Sequence, residues 1–259
     1  MIISTGAAEQ KSAQVPLRVT GARSSYGLDA DVSLPYHTNL MSTNRFPVEL
    51  EGWSIVLRGN FNPAIFQPMW LVKHGLVFEE EAAAAKITVI TPELAIFSVG
   101  LMTLLITLDK FQVAVTSAEA SEAIRDLVVG TFHILNETPL TQLGINRDLH
   151  FKIPSIEQWY TVGHRLAPKE IWSGLLDDLG TRSVVMQGKR RDASSEYVRV
   201  RVEPSARVRP GVYVGNNEHF VKAPNEASEH LLDVLRAEWA SAQASAKRVA
   251  EELIARCLQ

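Results

Sequence analysis

Cysteine is nearly missing from this sequence of 259 residues: Cys257 is its only one. A single cysteine excludes a disulfide within the chain and any zinc site built from several cysteines. An excess of one charge is also lacking, because 26 Lys and Arg stand against 29 Asp and Glu, a net charge of −3. With 46% hydrophobic residues, 15 Gly and 12 Pro, the composition excludes collagen-like, coiled-coil-only and wholly disordered proteins.

Long hydrophobic runs are missing as well. The longest uncharged stretch is residues 94–108, fifteen residues between Glu93 and Asp109, whereas a membrane-spanning helix needs about 20 apolar residues. The start of the chain shows no basic segment followed by a long apolar one, so no signal peptide is visible. We expect a soluble, cytoplasmic protein that does not contact a membrane.

Motifs of known chemistry are also lacking. The sequence contains no H-E-x-x-H, G-x-S-x-G, P-loop or G-x-G-x-x-G pattern, and no two of its seven histidines are four residues apart. We therefore predict no catalytic residue, no metal site and no cofactor. An enzyme is less favoured than a binding protein, although a site assembled from distant residues stays an open alternative.

Hydrophobic periodicity predicts an α+β protein with a mainly antiparallel sheet, built in two consecutive halves with packed helices. Residues 1–46 show no sustained period and predict a loop-rich N-terminal arm. Residues 47–153 predict a first α+β half, and residues 154–222 a second half of helices and a three-stranded meander. One of these helices is predicted over 168–179, and residues 223–259 predict one long C-terminal helix.

The C-terminal helix carries an apolar seam with spacings of three and four residues, typical of helices that pack at a shallow angle. The seam residues are Leu232, Leu235, Trp239, Ala242, Ala246, Val249 and Leu253. Two alternatives are open. The seam packs on the sheet of its own chain, or it pairs with a second copy, which is a reason to expect a homo-oligomer.

Positive charge is concentrated in one predicted hairpin. Residues 182–209 contain eight Lys or Arg and three Asp or Glu, a local charge of +5, and the remaining chain carries −8. Alternation along the predicted strand 197–202 turns its valines inward and its tyrosine and arginines outward. The candidate binding residues are Lys189, Arg190, Arg191, Tyr197, Arg199 and Arg201. Two interpretations are open. The residues form a platform that binds a phosphate backbone or an acidic partner, or they form a solvated face whose arginines discourage pairing with strands of other chains.

A short pattern occurs twice, in residues 144–151 and in residues 215–220. Each copy has a glycine, an asparagine two residues later, and a His-Phe pair near the end of a predicted strand. Two interpretations are open. The two strands simply occupy equivalent places in the two halves, or they place the pairs Asn146/His150 and Asn217/His219 in related functional sites.

These motifs also carry a family resemblance. The chain resembles a sporadically distributed family of uncharacterised bacterial cytoplasmic proteins over about residues 48–222. The motifs concerned are Thr138-Pro139, Gly144-Ile-Asn146, His150-Phe151, Val202-Glu-Pro-Ser205, Pro210-Gly-Val-Tyr213 and Asn217-Glu-His-Phe220. The resemblance implies no reaction. A sporadic distribution is typical of mobile or defence-associated genes, so it implies an accessory role in a mobile-element or phage-defence (antiviral) system.

Together these features favour a non-catalytic interaction or scaffold subunit of a bacterial multiprotein complex. Its expected partners are a second copy of the chain and another protein. The alternative is a nucleic-acid-binding subunit that uses the basic hairpin.

Overall fold

A computed structural model of the protein describes residues 46–190 and 194–259. The predicted N-terminal arm lies outside these residues except for Phe46, which is buried. The strands are β1 Val48–Gly59, β2 Lys86–Ile90, β3 Leu94–Val99, β4 Met102–Thr107, β5 Lys110–Val115, β6 Leu140–Lys152, β7 Val184–Gly188, β8 Tyr197–Pro204 and β9 Gly211–Val221. The helices are α1 Pro68–Lys73, α2 Glu79–Ala83, α3 Ser121–Ile134, α4 Ile156–Leu166 and α5 Glu229–Cys257. The predicted α+β class, antiparallel sheet and long C-terminal helix are confirmed.

All nine strands join one sheet in the order β2-β3-β4-β5-β1-β6-β9-β8-β7, and every neighbouring pair is antiparallel. The element order occurs twice. In the first occurrence, the long strand β1 is followed by helix, then by the meander β2–β5, and finally by α3. In the second, the long strand β6 is followed by helix, then by the meander β7–β9, and finally by α5. Each meander returns beside its own first strand, and β1 pairs with β6 at the centre. Two related units, here called the first and second repeat, therefore share one sheet.

Alternating side chains explain why the helices cover only one face. In β1, Trp53, Ile55 and Leu57 are buried, whereas the residues between them are only half-buried. The buried side chains pack with those of α3 and α5 in one cluster. A second cluster joins β6, β8 and β9 to α4 and the end of α5. Burial of these apolar surfaces is the main stabilising contribution to the fold.

The predicted seam of α5 packs on the sheet of its own chain over its first five residues. Leu232, Leu235, Trp239, Ala242 and Ala246 are all buried. Further along, the buried residues are Ala250, Ile254 and Cys257. Val249 and Leu253 are half-buried. A straight α-helix drifts away from a strict seven-residue repeat, so the contact line moves by one residue. In the described part of the chain, no helix is long and apolar enough to cross a membrane.

The helix predicted over 168–179 is wrong. The structure has only a short 3-10 turn, Glu170–Trp172, followed by irregular chain. Gly174 and Asp178 adopt positive φ angles of 78° and 51°, which a helix does not allow. Ile171 and Leu175 are exposed, so no apolar face is buried that would stabilise a helix.

Truncating the centre of α5 should strongly destabilise the protein. Trp239 is 1% exposed, and its indole Nε1 donates to Glu122 Oε1 of α3 at 3.0 Å. We expect Trp239→Ala to lower the free energy of unfolding by about 3–5 kcal/mol, because it leaves a cavity in the core. Urea unfolding measures this change.

The matched control is Arg236→Ala on the exposed side of the same helix, where the side chain pairs with Asp233 one turn earlier. This change should lower the free energy of unfolding by at most about 1 kcal/mol. Equal losses in the two variants would contradict the packing of α5 described above.

Candidate functional site

The candidate site is the sheet face that no described helix covers, here called the open face. A depression of about 550 Å³ on this face is lined from Gln112 on β5 to Val185 on β7, across six strands. Neighbouring strands are about 4.8 Å apart, so the lining residues span about 24 Å. The open face therefore holds one broad depression that crosses six of the nine strands.

Polar side chains cross this face in a single register row. Ser54 of β1 stands opposite Asn146 of β6, which stands opposite Asn217 of β9, which in turn stands opposite Arg199 of β8. The next position along, on β7, is Gln187. The floor of the depression is thus built for hydrogen bonding, mainly by strands of the second repeat.

Two amide groups form the centre of the row. Asn217 Nδ2 donates to Asn146 Oδ1 at 2.7 Å, and Asn146 Nδ2 donates to the carbonyl of Ser54 at 3.2 Å. A Cβ atom on Gly144 would lie 2.9 Å from Asn217 Nδ2, and one on Gly215 would lie 2.3 Å from the hydroxyl of Tyr213. Each glycine of the twice-occurring pattern therefore makes room for a polar side chain of β9.

A second cluster joins β6, β8 and β9. The Tyr213 hydroxyl donates to Asp148 Oδ1 at 2.6 Å, and Arg201 donates to the Tyr213 hydroxyl at 3.1 Å. The Arg201 guanidinium also lies over the Tyr213 ring, 5.3 Å from its centroid. Burial and the bond to Asp148 raise the pKa of Tyr213 to about 12. Tyr213 is therefore a neutral phenol at physiological pH.

A third cluster lies further along β8 and β9. The Tyr197 ring stacks on His219 with centroids 4.6 Å apart and planes 16° apart. Arg199 lies over the Tyr197 ring at 5.0 Å and donates to Gln187 at 3.0 Å. Two arginine–tyrosine pairs therefore lie on the open face, each beside a histidine, since His150 and Tyr213 have ring centroids 5.1 Å apart.

The two histidines are too far apart to act together. His150 stands opposite Tyr213 and His219 opposite Gly144, so six residues of β6 separate their positions, about 20 Å. His150 Nδ1 bonds Ser205 Oγ at 2.8 Å, but Ser205 is buried and its Oγ accepts two backbone N–H groups. This Ser–His pair holds a turn. It presents no nucleophile to the depression.

Of the six predicted binding residues, the structure brings Tyr197, Arg199 and Arg201 together on the open face. Lys189 is exposed just beyond β7. Arg190 instead points to the helix side, where its side chain is 6% exposed and pairs with Glu218 and Glu238 at 3.3 Å and 2.5 Å. Arg191 lies outside the described residues.

Among the members of the site that sequence reasoning missed are the two polar partners Asp148 and Tyr213. Both occupy positions that alternate with buried residues, in β6 and in β9. Asn146, Asp148 and His150 are three polar residues at spacing two, the signal of a polar strand face. That signal could have indicated Asp148.

Within residues 46–190 and 194–259, no group of three or more His, Cys, Asp or Glu side chains could hold a metal ion. In comparisons with protein-family models and with curated proteins, nothing matches this chain. A function therefore has to be inferred from the geometry of the open face.

Acidification should destabilise the fold through its open-face histidines. Burial and a nearby arginine, Arg207 for His150 and Arg199 for His219, lower the pKa of both histidines below the ordinary 6.5. Near and below pH 6.5 the unfolded chain then binds protons that the folded chain does not. The free energy of unfolding should fall as the pH is lowered from about 7.5 to about 5.5.

Urea unfolding at the two pH values measures this dependence. The double variant His150→Gln/His219→Gln should show a smaller fall than the original protein, and His133→Gln, at an exposed position of α3, should leave it unchanged. The assignment fails if the double variant keeps the full pH dependence.

Proposed function

We propose that this protein is a non-catalytic interaction subunit that binds a macromolecular partner on its open face. The observation that carries the proposal is the broad depression on this face, which is lined by six strands and extends about 24 Å along the sheet. Such a width suits a segment of a macromolecule better than a small molecule, which needs an enclosing pocket. With the family resemblance, we place this role in a cytoplasmic bacterial complex.

The chemistry of the face favours binding over catalysis. Tyr213 stays protonated, and Ser205 is held in a turn. Proton transfer at neutral pH needs a group whose pKa is near 7 and which is within reach of a substrate. The two histidines of the open face have a pKa lowered by burial. They lie about 20 Å apart, and one of them is already bonded to Ser205.

The site is also preorganised. Asn146, Asn217 and Tyr213 are each fixed by a hydrogen bond to another strand of the sheet. Side chains that are already ordered lose little conformational entropy when a partner binds, and this favours affinity. A rigid, polar surface is therefore well suited to recognition.

Site-specific photo-cross-linking in the native host tests this role. A photoreactive amino acid at Gln112 should give a discrete cross-linked product, because this residue lines the depression. At Arg248, on the exposed side of α5, it should give none. The product should also disappear in Gly144→Leu, whose side chain would displace the Asn217 amide. The proposal would be contradicted if Gln112 and Arg248 gave the same cross-linked products, or if Gln112 gave no cross-linked product.

A second candidate is nucleic-acid binding, and the two arginine–tyrosine pairs favour it. Aromatic rings and arginines on an open sheet provide stacking surfaces for bases and positive charge for phosphates. By strand alternation, the open face of β1, β5, β6 and β8 carries five cations and two anions. These are Arg58, Lys110, Lys152, Arg199 and Arg201, with Asp148 and Glu203. The face is thus positive in a chain whose net charge is −3.

Charge reversal tests this second candidate. Fluorescence anisotropy with single-stranded DNA, duplex DNA and RNA at low and moderate salt should detect salt-dependent binding. The double variant Arg199→Glu/Arg201→Glu should weaken binding at least about tenfold and reduce the salt slope by about 2.

The double variant Arg236→Glu/Arg248→Glu, on the exposed side of α5, is the matched control, because it changes the net charge by the same amount. It should bind nearly as well as the original protein. Absence of binding at low salt would rule out this candidate. Equal weakening by Arg236→Glu/Arg248→Glu would also do so.

A further inference from the structure

The two edge strands of the sheet, β2 and β7, do not occupy corresponding places in the two repeats. Counting outward from the centre, β5, β4 and β3 of the first repeat correspond to β9, β8 and β7 of the second. β2 covers the outer edge of β3. In the described residues, no strand lies beyond β7. Among the residues that the structure describes, the second repeat therefore leaves open the strand edge that the first repeat covers.

The sequence of β7 leaves this edge unprotected. Val184-Val-Met-Gln-Gly188 contains no charge and no proline. Val185 on the open face is 51% exposed, and Met186 on the helix side is 67% exposed. Natural proteins usually block a free edge with charges, proline or a bulge. The opposite edge follows this rule, because β2 begins with Lys86 and contains a register shift between Ile87 and Val89.

Further apolar side chains are exposed just before β7. Ile171, Trp172, Leu175 and Leu176 lie in the irregular segment between α4 and β7, and none of them is buried. These four exposed residues lie within six positions of the chain and add apolar surface close to β7 in sequence. An extended strand added to β7 is the partner that both the backbone edge and its apolar side chains fit.

We propose that β7 pairs with β7 of a second copy of this chain, across a two-fold axis perpendicular to the sheet. Such an axis places a strand antiparallel to its own copy, as every other pair in this sheet is. A register centred on Met186 sets Val185 opposite Gln187 and Val184 opposite Gly188. Since β7 is uncharged, no like charges face each other, and this favours self-pairing.

Sedimentation velocity of the full chain over a range of concentrations tests the proposal. The original protein should dimerise. Met186→Lys and Met186→Glu should each be monomeric, with dimerisation at least about 100-fold weaker, because like charges then meet at the axis. An equal mixture of the two variants should restore a dimer, since Lys then faces Glu.

Ile87→Lys on the opposite edge is the matched control. Ile87 is 58% exposed, so the change should leave both the fold and the dimer intact. Circular dichroism and urea unfolding of the Met186 variants check that each stays folded. Four results would each overturn the proposal. The original protein is monomeric, the dimer persists in Met186→Lys, the mixture of the two Met186 variants stays monomeric, or the dimer is lost in Ile87→Lys.

Discussion

The pairing of β1 with β6 is the interaction on which the rest of the structure depends. It joins two related half-sheets along the length of both strands, from Val48 to Gly59. Arg147 of β6 secures this junction on the helix side. Its guanidinium lies over Trp53, bonds Glu51 at 2.5 Å and donates to the carbonyl of Gln243 in α5 at 2.9 Å. A shift of one residue in this register would turn the polar residues of β6 into the core.

This register also explains why binding groups gather on one face. With the apolar positions of β1 and β6 fixed against α3 and α5, the alternate positions must line the open face. The polar side chains on this face contact each other across neighbouring strands, so they are half-buried without a covering helix. Gly144 and Gly215 then provide the space in which Asn217 and Tyr213 lie. The polar surface is thus a consequence of packing on the opposite side.

Local patterns in the sequence predicted the elements well but not their relations. The α5 seam was recognisable because burial follows helical periodicity, while its drift to Ala250 and Ile254 depends on how a straight helix lies on the sheet. The prediction of a helix over 168–179 was wrong because periodicity alone does not show whether an apolar face packs against another element. Arg190 pairs with Glu238, distant in sequence, and Tyr213 with Asp148. Such contacts follow from the strand order and from the position of α5 on the sheet, which local patterns do not specify.

The proposed dimer would connect the sheet edge with the open face. A two-fold axis perpendicular to the sheet keeps both open faces on the same side. The two copies of β8 would then be separated only by the paired β7 strands, at about 14 Å. Arg199 and Arg201 of both copies would therefore lie on the two sides of the axis and form one positive patch, in which salt screens most of the repulsion between the copies. An anionic partner bound across the axis would contact the arginines of both copies, so dimerisation and binding would strengthen each other by the same factor.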